Sequence, residues 1–350
     1  MARNFLICPF FRSPQFPARK SARISIRRAS SRVRILILLV SLLVFLPVGC
    51  RCGKSRDAQG GAWSSASGDK ILIVTTSSDF RDICRRVAGD FAEVESLARG
   101  DQDLHGIEVS PSHILMLKRA TIYFSIGLGM DDWAHKFIRT SGNALIEPGA
   151  KNHFVVASFV DIIEKPAPGG PGRTSHLQGN PHYWLNPENA AKIAAAICQS
   201  LSALYPARRA DFEKGREEFT RALDGAVKEW KRKMRPFAGR KIATYHKSWT
   251  YFTDFFGLIE AAIIEPQPGI PPSPAHISDL IDQLKREKIG VILCEPFYPV
   301  KVPRMVAEQA GAELLVLPTS VGGIQGADDY IGTMDRIVES VAAALRKGGK

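Results

Sequence analysis

The sequence predicts an α/β protein of two lobes, each a parallel β-sheet flanked by helices, joined by one long rigid helix. Three observations predict it. From residue 70 onward short apolar runs alternate with helix-like segments, the signature of βαβ layers. One segment, 206–235, breaks that alternation with a dense run of Arg, Glu, Ala and Lys and no strand signal. The chain of 350 residues with 45% hydrophobic side chains is also long enough for two lobes with buried cores.

The N-terminal region reads as a targeting segment. Residues 1–56 hold 12 of the 47 Lys and Arg and no acidic residue, so residues 57–350 carry 35 basic and 35 acidic residues. The formal charge of +12 therefore belongs to one end, and a body that binds nucleic acid is disfavoured. Behind nine basic residues, 35–48 reads ILILLVSLLVFLPV. That run is shorter than the roughly 20 residues of a membrane span and has the length of a signal-peptide core. It ends in Leu46-Pro47-Val48-Gly49-Cys50, which resembles a bacterial lipoprotein cleavage site, with Pro47 where that pattern prefers Leu. The reading is residues 1–50 as basic region and signal peptide, an extracytoplasmic body, and Cys50 as the position for a lipid anchor. Residues 51–69, rich in Gly, Ser and Ala, follow as a flexible tether. The six cysteines show no CxxC spacing, and no disulfide is assigned.

The body divides into an N-terminal lobe at 70–205, a connecting helix at 206–236 and a C-terminal lobe at 237–350. Strands are expected at 71–75, 121–127, 241–245, 258–264, 290–294 and 313–317, where β-rich apolar runs meet turn residues. Helices are expected among others at 77–88, 110–119, 274–288 and 328–345. Segment 206–235 starts at Pro206 and closes at Pro236; about 28 residues at 1.5 Å each run about 42 Å, enough to cross a lobe. The Gly/Pro-rich stretch 164–180 reads as a surface loop.

Eight histidines are present, and three stand beside turns or at the ends of apolar segments: His105, His182 and His246. The ends of parallel strands are where open α/β sheets place ligands, so these three are candidates to converge between the lobes. Periodicity alone leaves their meeting open.

Three segments carry a resemblance to a known family: GNPHYWLNPENA at 179–190, TYHKSWTYFTDFFGL at 244–258 and EPQPGIPPSPAHISDLI at 265–281. A fourth, DLHGIEVSPS at 103–112, resembles it with Leu104, Ile107 and Val109 as departures. Over about residues 70–346 the chain resembles the zinc and manganese substrate-binding proteins of metal ABC transporters. The resemblance implies that His105, His182 and His246 are metal ligands, and that a membrane permease and its ATPase subunit are partners. Three imidazoles suit Zn²⁺ better than Mn²⁺, which favours carboxylates. Many members of the family add an Asp from the loop after the last strand, but 318–323 reads PTSVGG. Glu108, Glu265 and Glu295 are then candidates for the fourth donor or for partners of the ligands, with water as the economical fourth donor. Asp103 and Asn180 are expected to accept from an imidazole N–H, and the other five histidines to face solvent. A monomer that captures Zn²⁺ is the leading reading. The alternatives are a zinc hydrolase with a His₃–water site, for which no HExxH motif is present, and a metal-binding surface adhesin.

Overall fold

A computed structural model describes residues 70–165, 178–267 and 269–348. The basic region, the apolar run, Cys50, the tether and His176 lie outside the described residues. The N-terminal sheet contains β1 (Ile71–Thr75), β2 (Ala92–Ser96), β3 (Ile122–Ser125) and β4 (His153–Val155), all parallel in the order β2-β1-β3-β4. The C-terminal sheet repeats the plan with β5 (Lys241–Thr244), β6 (Ile259–Ile263), β7 (Val291–Cys294) and β8 (Glu313–Val316) in the order β6-β5-β7-β8. Every residue of β3 and β7 is buried, as expected of central strands covered by helices on both faces.

The helices are α1 (Ser78–Ala88), α2 (Pro111–Arg119), α3 (Asp132–Ser141), α4 (Pro187–Leu204), α5 (Arg209–Met234), α6 (Thr250–Phe256), α7 (Pro274–Arg286), α8 (Lys301–Ala310) and α9 (Tyr330–Lys347). Their starts follow from capping side chains: Ser77, Asn186, Ser273 and Asp329 each accept an N–H from the first turn of α1, α4, α7 and α9. α5 is the long helix, 26 residues or about 39 Å. Phe212, Phe219, Leu223, Trp230 and Met234 form its buried stripe, a spacing that keeps one face inward. That stripe joins one core with residues of both sheets, such as Ile73 and Phe124 from the first and Ile242 and Leu293 from the second.

Two strands were not expected. β2 reads AEVES and alternates buried with exposed, so it lacks the continuous apolar run that marks its neighbours. β4 is three residues on the sheet edge. The C-terminal segment also does not stay with its own sheet. Val321 N–H donates to Asp79 Oδ1 (3.1 Å), Tyr330 N–H to Asp82 Oδ2 (3.0 Å), and Arg86 pairs with Asp329 (2.9 Å), binding 321–330 to α1. No helix among the described residues is long and apolar enough to cross a membrane.

Candidate metal centre

Three loops bring His105, His182 and His246 together, those of His105 and His246 following β2 and β5 and that of His182 leading into α4. Their ring centroids are 5.4 Å (His105 to His182), 5.2 Å (His105 to His246) and 5.4 Å (His182 to His246) apart. One ring nitrogen from each lies within 4.8 Å of the others, and among the described residues no other such group of His, Cys, Asp or Glu occurs. Tetrahedral coordination at 2.0–2.1 Å sets nitrogens about 3.3 Å apart, so a small inward movement closes the triad on an ion. His182 and His246 are 5% and 2% exposed.

Each loop is held from beneath. His105 follows β2; its backbone N–H donates to Asp103 Oδ1 (2.9 Å), and Trp133 Nε1 donates to Leu104 O (3.0 Å). Leu104 and Ile107, the two interior departures in this segment, are buried anchors of the core. Asn180 fixes the second loop: its Oδ1 accepts from the His182 backbone N–H (3.0 Å) and lies 2.9 Å from His182 Nδ1. Its amide donates to Lys247 O (3.0 Å), tying the second loop to the third. His246 follows β5, beside the point where the strand order reverses between β5 and β7, the usual ligand crevice of such sheets. Its Nδ1 lies 2.8 Å from Glu265 Oε2, while Glu265 Oε1 accepts from Gly269 N–H (3.0 Å).

These contacts decide the tautomers. A carboxylate oxygen and an amide oxygen only accept, so Nδ1 of His182 and of His246 carries the proton and Nε2 presents its lone pair. That is the arrangement by which carboxylates and amides orient metal-binding imidazoles. Burial lowers the pKa of His105, which keeps its ring neutral further into acid, although the neighbouring Asp103 pulls the other way. The three rings border a cavity of about 10 Å³, also lined by Trp184, Ser248, Tyr298, Thr319 and Ser320. That is about the room of one water-sized sphere.

The carboxylates fall into distinct places. Glu265 spends both oxygens, on the His246 ring and on Gly269, and so serves as a partner of His246. Glu295, at the end of β7, is wholly buried and accepts from Ser248 Oγ. Burial pushes its carboxyl up to about 7, against the opposing pull of His246. Glu108 is exposed and outside the triad. Asp103 accepts the His105 backbone N–H. Asp328 is exposed, and Asp329 caps α9 and pairs with Arg86, so both stand away from the cavity. Thr319 and Ser320 line the cavity where the sequence offers no carboxylate. The expectation of solvent-facing histidines needs correction: His113 accepts from Ser110 N–H at the start of α2, His153 bonds Ser125 Oγ, and His276 bonds Ile263 O. His135 and His153 pack ring to ring (6.1 Å). These half-buried rings serve caps and edges.

The chain is 28% identical over 327 residues to a manganese ABC transporter substrate-binding lipoprotein, PsaA, of Streptococcus mitis, covering 89% of this chain and 98% of the relative. It is 25% identical to the zinc-binding lipoprotein AdcA of Streptococcus pneumoniae, covering 90% of this chain and 62% of AdcA. The fold superposes on the crystal structure of ZnuA with a TM-score of 0.66 at 23% identity, covering 79% of this chain and 99% of the other. A manganese-bound periplasmic metal-binding protein of Candidatus Liberibacter asiaticus gives 0.68 at 20% identity, covering 79% and 100%. Residues 73–344, which span both sheets and all three clustered histidines, match the family of the periplasmic zinc-uptake complex component A, and the chain belongs to that family.

Proposed function

We propose that this protein is an extracytoplasmic solute-binding protein that captures Zn²⁺ on His105, His182 and His246 and delivers it to the permease of an ABC transporter. The observation that carries the reading is the pair of Nδ1 contacts, Asn180 on His182 and Glu265 on His246, which leave two Nε2 lone pairs for the small cavity that the three rings border. Three neutral imidazoles form a borderline-soft set that fits Zn²⁺, with Mn²⁺ the lesser fit because no carboxylate belongs to the triad. The ion is cargo, and catalysis is no part of this reading. An ATPase subunit supplies the energy of transport. We divide the chain at 70–205, 206–236 and 237–350, with residues 1–50 as export signal and Cys50 as the lipid position, and take the body to be a monomer.

Calorimetric titration of the purified body tests the assignment. One Zn²⁺ per chain is expected for the parent and for His135→Ala, and loss of tight binding for His105→Ala, His182→Ala and His246→Ala. Binding should weaken in acid, since ligands must be neutral, with the lowered pKa of His105 moving that ring's own protonation below the ordinary value of about 6.5. Unchanged affinity in His246→Ala would remove the site.

A further inference from the structure

Three imidazoles leave one side of a tetrahedral ion to be filled, and the wall on the C-terminal side of the cavity holds a hydroxyl with unusual support. Ser248, two residues beyond His246, is 2% exposed and lines the cavity. Its hydroxyl donates to Glu295 Oε1. A hydroxyl has one hydrogen and two lone pairs, so this bond fixes Ser248 as an acceptor toward everything else it faces. The two residues come from loops after β5 and β7, the neighbouring strands at the reversal of strand order.

Glu295 carries a second observation. It is wholly buried, and among the described residues its Oε2 has no hydrogen-bond partner. A buried carboxyl oxygen left in that state is costly for the fold, and a cation in the adjoining cavity would offset that cost. We propose, resting on the metal-binding reading above, that Ser248 presents an oxygen lone pair to the fourth coordination position of the bound ion and that Glu295 is the positioning residue that holds it there. The lone pair reaches the ion itself or the water bound to it. This makes the Ser248–Glu295 couple the chain's own substitute for a carboxylate ligand.

The test compares Ser248→Ala, Glu295→Ala and Glu295→Gln with the parent. Zn²⁺ affinity is read by competition with a chromophoric chelator, the visible spectrum of the Co²⁺-loaded protein reports coordination, and thermal melting checks folding. Ser248→Ala and Glu295→Ala should bind Zn²⁺ about 10- to 100-fold more weakly and alter the Co²⁺ bands. Glu295→Gln, whose amide oxygen still accepts from Ser248, should recover most of that loss. Affinity within threefold and an unchanged Co²⁺ spectrum in a folded Ser248→Ala would overturn the inference, as would equal damage in Glu295→Gln and Glu295→Ala. Absence of metal binding by the parent would instead defeat the functional reading itself.

Discussion

Asn180 shows how much one side chain decides. Its oxygen sets the His182 tautomer while its amide grips the carbonyl of Lys247, so the orientation of one imidazole and the position of the loop carrying the next are a single hydrogen-bonded unit. Turn residues singled out the three imidazoles as candidates in the sequence, and the resemblance of whole segments grouped them; the fold brings their rings together. Ser248 was not legible there, since its role depends on Glu295, which lies 47 positions away and meets it only in the folded sheet. Glu108 illustrates the opposite error of proximity: three residues from His105 along the chain, it faces water. A second residue-scale consequence lies at Asp79, 1% exposed beneath the 320–321 turn, whose carboxyl burial pushes up to about 7. Unfolded, it titrates near 3.9, so its folded form is stabilised in acid, and that contribution is lost as the pH rises toward and through 7. Asp79→Asn should therefore gain stability relative to the parent between pH 5 and pH 8, on the order of 2 kcal/mol. Urea unfolding at both pH values checks it, and an equal difference at the two would count against the buried-acid account.

At the scale of elements, α5 contains two glycines that predict opposite outcomes. Alanine in place of a helix-interior glycine gains about 0.8–1.0 kcal/mol from backbone propensity alone. At Gly225 an added methyl meets nothing within 4 Å, so Gly225→Ala should stabilise by about that amount. At Gly215 the methyl would stand 2.5 Å from Arg86 O and 2.7 Å from Val87 O, where α5 crosses the end of α1. Overpacking costs of about 1–3 kcal/mol outweigh the propensity there, and Gly215→Ala should destabilise. Denaturant midpoints of the two variants separate these cases; a gain at Gly215 would mean that the helices can part freely. The long helix was readable because its composition and the prolines at both ends are local signals. β2 was not, because Glu93 and Glu95 interrupt its apolar residues on the side that the sheet edge leaves uncovered.

Over the whole molecule the two-lobed plan was legible from the rhythm of strands and helices, but the return of the C-terminal segment to α1 was not. Nothing local in 318–330 announces it, since its partners Asp79, Asp82 and Arg86 sit some 240 residues earlier. α5 also faces α9, with Trp230 Nε1 donating to Asp335 Oδ1 (2.6 Å) and Lys233 paired with Glu339 (3.0 Å). Binding at a site built from both halves should raise the melting midpoint. At free Zn²⁺ a hundredfold above Kd the stabilisation is about 2.7 kcal/mol by mass action. Calorimetry with and without zinc should show that shift in the parent and none in His182→Ala.

The docking of residues 321–330 onto α1 has a consequence for the order of events in the life of the chain. Helix α1 lies near the beginning of the body, yet three of its polar side chains take partners from a stretch near the end. During synthesis the first sheet therefore emerges long before the contacts that complete it, and closing so large a loop delays them further. Such a chain is expected to complete the packing of its first layer only after most of its length is made. With residues 1–50 read as an export signal, as proposed above, slowness to fold would keep the chain competent to pass through a narrow channel before its C-terminal segment completes the structure.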